Sequence, residues 1–306
     1  MTYGPVTALG IDTANPVTKR FNFKTCTLGL EQEHVYAGGL MGTTAEASER
    51  VRGGNKKVSG QITAIPNPVE LNLLLPWMLG GTPIVGTPAG KTTFPLGETV
   101  PTRNITTDRG SKVLTHDNCV VSKWTLKSTQ GGSLELSLDI LGKDEAIGNS
   151  GTFPAIDIDR TEQDFLHSDL VISIDAVART CPDIEIACDN MIDEQRFFNS
   201  DTWTVPITSG INVARKGRKI TVKTKVPFGD HASAYNLAVS GVVGNAKWTN
   251  GAVSLEIAMP AVQIPRKSPP IEGIDEVFLP LEGICRKIGS VAGTTDEISV
   301  ILDLTP

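Results

Sequence analysis

The sequence predicts a mainly β protein made of two similar domains in tandem, each with one helix lying against a sheet. Three observations predict this fold class. Strand-like alternation recurs along the chain, glycine turns separate the alternating segments, and one strand–proline–helix–glycine unit occurs in each half. A unit that occurs twice indicates an internal duplication, which is more typical of repetitive assembly than of catalysis.

Alternation of apolar and polar residues is clearest in four segments, at 134–140, 183–186, 253–257 and 297–304. Successive side chains of a strand point to opposite faces, so each segment has one apolar face and one mostly polar face. Such strands are typical of antiparallel sheets that cover a core on one side.

The first copy of the repeated unit leads from a Lys-rich strand at 56–65 into an apolar helix. Asn67 can cap this helix, Pro68 suits its first turn and Gly80 can end it, as these residue types do in other helices. Pro76 lacks a backbone N–H, and we expect it to kink or shorten the last turn.

The second copy leads from a strand at 219–226 through Pro227 into a helix at 231–239. Asp230 can cap this helix and Gly241 can end it. We therefore expect one flanking helix in each domain.

Each half also contains a Lys-Trp-Thr strand followed by a glycine turn and an alternating strand. In the first half 123–125 precedes Gly-Gly at 131–132, and in the second half 247–249 precedes Asn-Gly at 250–251. Both turns tolerate positive φ, so both segments predict β-hairpins.

The domain organisation predicted from these units has an extended N-terminal arm at 1–20, a first domain at 21–150 and a second domain at 151–306. The boundary falls in the polar stretch 142–168, because such composition is typical of linkers. The Gly-, Pro- and Thr-rich stretch 81–117 has few strand signals, and its length predicts a long projecting loop or hairpin.

Composition predicts a soluble globular protein without a membrane span. The chain has 306 residues, of which 40% are hydrophobic and 20% charged, and its longest apolar run, 69–79, is far short of the roughly 20 residues that cross a bilayer. We see no secretory signal and expect folding in a cytosol. The net charge of -6 disfavours tight nucleic-acid binding, which depends on Lys and Arg at phosphates.

Residue patterns for catalysis or metal binding are not found in the sequence. The histidines, His34, His116, His167 and His231, have no metal-ligand spacing, and no Gly-x-Ser-x-Gly motif is present; such patterns mark zinc sites and serine hydrolases. The five cysteines contain no C-x-x-C pair, which indicates reduced thiols. We therefore predict no enzyme activity, no metal and no cofactor.

Basic residues are concentrated at the start of the second repeated unit. They are Arg215, Lys216, Arg218, Lys223 and Lys225. One interpretation is an edge strand whose lysines prevent unwanted strand pairing. The other is an inter-subunit contact with an acidic strand such as the one that carries Asp183 and Glu185. The sequence leaves both open.

Short segments in both halves follow one another in a recognisable order. They are a basic glycine turn at 52–57, a strand at 58–62, the helix end 77–81, a strand at 121–126, and the stretches 183–191 and 210–226. In this order they resemble the tail tube proteins of long, non-contractile-tailed bacteriophages. The resemblance covers most of the chain and depends on the order of elements.

The resemblance implies a β-sandwich or β-barrel unit with a flanking helix, present here twice, in a structural protein of the virion tail. Copies of the chain would form rings that stack into a tube, a passive conduit through which duplex DNA is ejected without specific binding. The other implied partners are a tape-measure protein and the tail-terminator and baseplate proteins, with no membrane. Synthesis would take place in the host cytoplasm.

The ring implied by the resemblance is sixfold, with about four lumen strands from each unit. If both copies line the lumen, three chains supply about 24 strands, and a spacing of about 4.8 Å gives a diameter of roughly 37 Å before tilt. Six chains would double that bore. We therefore expect a trimeric, pseudo-sixfold ring.

The lumen of such a tube is expected to present small polar and acidic residues, because like charges repel DNA. The candidates are Glu135, Ser137, Asp139, Glu297, Ser299 and Asp303. The same faces could instead meet outer solvent or a helix. The arm 1–20 and the loop 81–117 are candidates for ring-to-ring contacts.

Other function classes also fit the sequence. Another ring-forming tail or baseplate protein, or a secretion-tube component, would have the same pattern. A β-sandwich ligand-binding module fits less well, because aromatic residues make up only 5% of the chain and such sites expose aromatics. Trp77, Trp124 and Trp248 fall at expected core positions, whereas Trp203 is less constrained.

Overall fold

The computed structural model describes most of the chain. The described residues are 6–13, 17, 19–36, 51–86, 90–99, 101–149, 153, 163–197, 199–204, 217–228, 241–251, 253–266, 268, 277–288 and 297–304. The helix expected at 231–239 lies outside them, as do Arg215 and Lys216.

Strands dominate the described residues, which confirms the mainly β fold class. In the first half they are β1 (Ala8–Asp12), β2 (Arg20–Phe21), β3 (Thr25–Cys26), β4 (Gly29–Tyr36), β5 (Val51–Ala64), β6 (Ile84–Val85), β7 (Lys91–Phe94), β8 (Arg103–Asp108), β9 (Lys112–Thr129), β10 (Glu135–Gly142) and β11 (Asp144–Asn149). In the second half they are β12 (Leu170–Ile174), β13 (Val177–Arg179), β14 (Asp183–Asp189), β15 (Lys219–Pro227), β16 (Val242–Asn250), β17 (Val253–Gln263), β18 (Phe278–Cys285) and β19 (Ser299–Asp303).

One α-helix, α1 (Pro68–Leu79), has the end signals that the sequence predicts. Asn67 accepts a hydrogen bond from the Glu70 N–H at 2.8 Å, and Glu70 accepts one from the Asn67 N–H at 3.1 Å, which is a complete capping box. Gly80 ends the helix with φ 80°. The helix continues past Pro76 to Leu79, so Pro76 does not shorten it. No described helix is long and apolar enough to span a membrane.

The first sheet contains both halves of the chain. Its antiparallel order is β4–β5–β10–β9–β14–β15–β18. The β9–β14 pairing crosses the predicted domain boundary. Because β15 pairs with β14 on one side and β18 on the other, the interpretation of its lysines as guards of an edge strand is wrong.

The second sheet also combines the two halves, in the order β13–β12–β16–β17–β19–β7–β6. The strand β17 connects the two sheets: its residues 254–258 pair with β19, whereas Val262 and Gln263 pair with β18. The inner sides of the two sheets are buried in one hydrophobic cluster with α1. The tandem-domain division stays a prediction.

A smaller third sheet, β11–β9–β8–β1–β2, corrects two expectations. The stretch 81–117 is not a projecting loop where it is described, because it forms β6, β7, β8 and the start of β9. The expected arm at 1–20 contains β1, all of whose residues are buried. Its apolar side chains therefore belong to the core.

Tryptophans occupy the core as predicted for Trp77, Trp124 and Trp248, each 1% exposed. Trp203 is 0% exposed and packs in a smaller cluster with Val120, Leu141 and Ile192. Its indole N–H donates to the Asp193 carbonyl at 3.1 Å. All four tryptophans are thus buried.

Candidate functional site

The outward side of the first sheet is a regular polar surface. On β14, Ile184, Ile186 and Cys188 are buried, while the alternate residues are partly exposed. The same alternation runs through β15, β10 and the second half of β9. The period of two places the charged side chains of these strand segments on one side, whereas Ser128 and Thr224 are buried on the other.

Residues directly opposite one another in register form three rows across this side, which together we call the charged face. The first charged row is Asp139, Lys123, Asp189 and Lys219. The neutral row is Ser137, Thr125, Ala187 and Thr221. The second charged row is Glu135, Lys127, Glu185, Lys223 and Glu282.

Ion pairs link neighbouring strands of the charged face. The Lys223 Nζ lies 3.2 Å from Glu185 Oε1, and the Lys123 Nζ lies 3.4 Å from Asp189 Oδ2. Lys24 also pairs with Glu135. These side chains are between one third and three fifths exposed, so each pair contributes about 0–1 kcal/mol to folding.

The predicted inter-subunit residues are mostly engaged within the chain. Lys223 pairs with Glu185, and the Lys225 Nζ lies 3.9 Å from Asp183 Oδ2. Arg218 donates to the Gly97 carbonyl at 2.5 Å, which ties the start of β15 to the segment that follows β7. The acidic strand expected on a neighbouring subunit is therefore the adjacent strand of the same chain. A role between subunits stays a prediction.

The predicted lumen residues fall on two different surfaces. Glu135, Ser137 and Asp139 lie on the charged face, where Asp139 accepts a hydrogen bond from Gln61 at 2.8 Å.

The other three candidates, Glu297, Ser299 and Asp303, lie at or beside β19 in the second sheet, and Asp303 is 3.6 Å from the Lys91 Nζ. Because the inner sides of both sheets are buried in one core, the two groups face away from each other. They cannot line one surface of the same chain.

Sequence reasoning missed the lysines of β9. Lys123 and Lys127 alternate with buried residues in the same way as the acidic residues of β10, so the alternation signal was present. The pairing of β9 with β14 could not be read from it, because that contact joins distant parts of the chain.

Exposed aliphatic side chains lie away from the three rows in the described part of the chain. Leu30, Val35 and Val51 belong to the β4–β5 hairpin. Val85, 80% exposed, is on the terminal strand β6 of the second sheet, and Val171, 61% exposed, is near its opposite end. Contiguous exposed apolar surface is typical of places where proteins meet, and these side chains are candidates for contributing to it. The charged face offers none.

The buried histidine His116 belongs to a group of side chains that holds strands together. His116 is 0% exposed, with Nδ1 3.4 Å from Glu145 Oε2. Burial, and next the charge of Arg109, lower its pKa from 6.5 to about 4. Burial raises the pKa of Glu145. Arg109 donates to the Leu28 carbonyl at 2.9 Å, so this group braces the β8–β9 hairpin against the chain before β4.

The other titratable groups give no catalytic arrangement among the described residues. His167 contacts Ser128 Oγ and the Cys181 carbonyl, both at 2.9 Å. All five cysteines are free thiols, as predicted, and burial raises the pKa of Cys285 to about 12. No group of three or more His, Cys, Asp or Glu residues in the described ranges could hold a metal.

Comparison with known proteins gives one match over nearly the whole chain. The family model described as phage tail tube protein matches residues 2–285, whereas a search of curated proteins finds no match. The matched range includes both halves of the first sheet and therefore the charged face. The chain thus belongs to the phage tail tube protein family, as a structural component of a bacteriophage tail.

Proposed function

We propose that copies of this chain form rings that stack into the tail tube, and that duplex DNA passes through the tube into the host during ejection. The tape-measure, tail-terminator and baseplate proteins are the further partners, and the chain is made in the host cytoplasm. The observation that carries the proposal is the first sheet, which joins both halves of the chain and carries, on β10, β9, β14, β15 and β18, three polar rows without exposed aliphatic residues.

The charged face is the best candidate for the lumen wall. Contacts between subunits bury apolar surface, and the exposed aliphatic residues all lie off the three rows. A surface without them is suited to contact water and a passing polyanion. This assignment retains Glu135, Ser137 and Asp139 as lumen residues and leaves Glu297, Ser299 and Asp303 for another surface.

Strand number supports a ring of three chains. Among the described residues the first sheet has seven strands, and the end of β17 beside β18 continues it as an eighth. Three chains then supply about 24 strands, which at about 4.8 Å each give a diameter of roughly 37 Å before tilt. After side chains are subtracted, a duplex about 20 Å wide still fits.

The exposed aliphatic residues are the proposed contacts between copies. Val35 and Val51 lie on the β4–β5 hairpin, and Ile84 and Val85 lie on the terminal strand β6. The hairpin belongs to the first sheet and can continue it into a neighbouring chain or reach the next ring. Burying a few aliphatic side chains on each chain stabilises assembly by about 1.5–3 kcal/mol for each side chain.

Electron microscopy of the purified protein tests the proposal. We expect tubes or rings, with averaged images showing three chains in each ring. A Val35→Asp/Val51→Asp variant is expected to remain folded but unassembled, because it places charge in an apolar contact. The matched control, Lys127→Gln/Lys223→Gln, alters the charged face and should still assemble. Monodisperse globules from the unmodified chain would refute the assembly, and six chains in each ring would refute the trimer.

A further inference from the structure

The signs of the charges alternate from strand to strand on the charged face. Its outward charges are acidic on β10, basic on β9, acidic on β14, basic on β15 and acidic on β18. With Lys24 and the Lys225–Asp183 pair included, six lysines balance six carboxylates. The rows alone hold four lysines and five carboxylates, and Lys24, which pairs with Glu135, offsets the remaining negative charge.

We propose that, because of this alternation, the tube wall exerts almost no electrostatic force on passing duplex DNA. This inference depends on the proposed function. The lysines face the lumen, and carboxylates on the neighbouring strands of the same chain mask them. The wall then neither binds the phosphates nor repels them over a distance. This differs from the acidic, repelling wall that the sequence alone suggested.

The range of the field separates the two kinds of wall. Charges that alternate on strands about 4.8 Å apart repeat every 9.6 Å or so, and the potential of such an array decays over about 1.5 Å. The potential of a wall with net charge decays over the Debye length, about 8 Å at physiological salt. DNA a few ångströms from the alternating wall therefore experiences almost no field.

The ion-pair geometry fits masking. Lys123 and Lys223 have carboxylate oxygens 3.4 Å and 3.2 Å away, on Asp189 and Glu185 respectively. Lys127 lies in register between Glu135 and Glu185. A phosphate approaching any of these lysines meets a carboxylate one strand away. The small side chains of the neutral row keep the two charged rows apart and leave a smooth band between them.

Tubes assembled from variants that lack some of the paired charges test the proposal. Glu185→Gln/Asp189→Asn unmasks lysines on β9 and β15, and the asparagine can still accept the Met191 N–H bond that Asp189 accepts now. Lys127→Gln/Lys223→Gln removes charge of the other sign. Glu256→Gln, beside Lys247 on the second sheet, is the control for a lysine unmasked elsewhere.

The probes are a fluorescent DNA duplex of about 30 base pairs and an oligolysine peptide, each sedimented with tubes at about 50 mM and about 200 mM salt. We expect unmodified tubes to retain neither probe inside, that is, in a form that resists nuclease or protease. The acid-depleted variant should retain about tenfold more DNA at the lower salt than at the higher, and this DNA should resist nuclease because it lies inside. DNA on Glu256→Gln tubes should be digested.

Three results separate the possibilities. Retention of oligolysine that resists protease, and therefore lies inside unmodified tubes, would show a net acidic wall and overturn the masking. Equal DNA retention by unmodified and acid-depleted tubes would show that these residues do not face the lumen. Absence of tubes in the microscope would instead refute the proposed function, before either probe is added.

Discussion

The hairpin that carries Trp124 and the hairpin that carries Trp248 have the same local sequence pattern and different surroundings. Both tryptophans are 1% exposed, and neither indole N–H has a hydrogen-bond partner within the described residues. Both hairpins turn at a glycine with positive φ, 75° at Gly131 and 59° at Gly251. The local fold is therefore repeated.

The difference lies in what surrounds each hairpin. The strands β9 and β10 lie inside the first sheet, where Lys123 joins the first charged row. The strands β16 and β17 lie in the second sheet, where Glu256 accepts a hydrogen bond from Asn245 at 2.7 Å, opposite Lys247. One hairpin thus belongs to the charged face, and the other carries Lys247 and Glu256 opposite each other in a different sheet. A repeated local pattern does not fix a repeated function.

Truncation of the two tryptophans is the strongest test of their equivalence. We expect Trp124→Ala and Trp248→Ala each to lower the free energy of unfolding by about 3–5 kcal/mol, through lost packing and a cavity. Urea titration followed by circular dichroism measures this. Trp124→Phe and Trp248→Phe are the controls, because they keep an aromatic ring and lose no hydrogen bond. A difference above about 2 kcal/mol between the alanine variants would show that the cores are not equivalent.

Acid should destabilise the protein through one of the two tryptophan-bearing strands only, because β9 carries His116 at its end in the third sheet and β16 carries no histidine. The pKa of His116 is lowered from 6.5 to about 4 in the folded protein. The unfolded chain therefore binds a proton at this histidine more readily than the folded chain does. Stability is therefore full above about pH 6.5 and falls by up to about 3 kcal/mol towards pH 4. The raised pKa of Glu145 acts in the opposite direction and reduces this loss.

Urea titration at pH 7 and pH 4.5 measures the acid effect. A His116→Leu variant, which cannot titrate at this position, should flatten the dependence below pH 6.5. The same slope in both proteins would assign acid sensitivity to other groups.

The turn glycines should show a smaller effect. Gly131 and Gly251 have positive φ and nothing within 4 Å of an added Cβ, so alanine adds strain without a clash. We expect Gly131→Ala and Gly251→Ala each to cost about 1 kcal/mol in unfolding free energy. Gly29, which has open space and no positive φ, is the control and should tolerate alanine. A neutral result at Gly251 alone would show that only the first turn depends on glycine.

The local structure was predictable from sequence wherever one residue type determines it. Asn67 and Gly80 gave the limits of α1 correctly, because capping is a contact between near neighbours in the chain. The position of β15 was not predictable, since lysines alternate in the same way on an edge strand and beside an acidic strand.

The stretch 81–117 was misread for a related reason. Its glycines suggested a loop, yet Gly81 and Gly97 allow two backbones to approach closely: an added Cβ would lie 2.1 Å from the Pro95 carbonyl oxygen and 2.0 Å from the Gly80 carbonyl oxygen, respectively. Glycine marks both free turns and tight crossings. The charged face could not be predicted, because it depends on the register between β9 and β14. No local sequence pattern contains that register.

The smallest effect on folding is expected from substitution of Lys123 and Lys247. The size of this effect decides whether the charge alternation serves folding stability. Lys123 is 52% exposed and its partner Asp189 35%, so solvent screens the pair. We expect Lys123→Gln and Lys247→Gln each to change the unfolding free energy by less than about 0.5 kcal/mol, with little dependence on salt. Urea titrations at low and high salt measure both. If Lys123→Gln cost more than about 1.5 kcal/mol, the alternation would be explained by folding stability. If it costs almost nothing, stability cannot account for the balanced charges of the first sheet, and their role has to be sought in what the assembled wall faces.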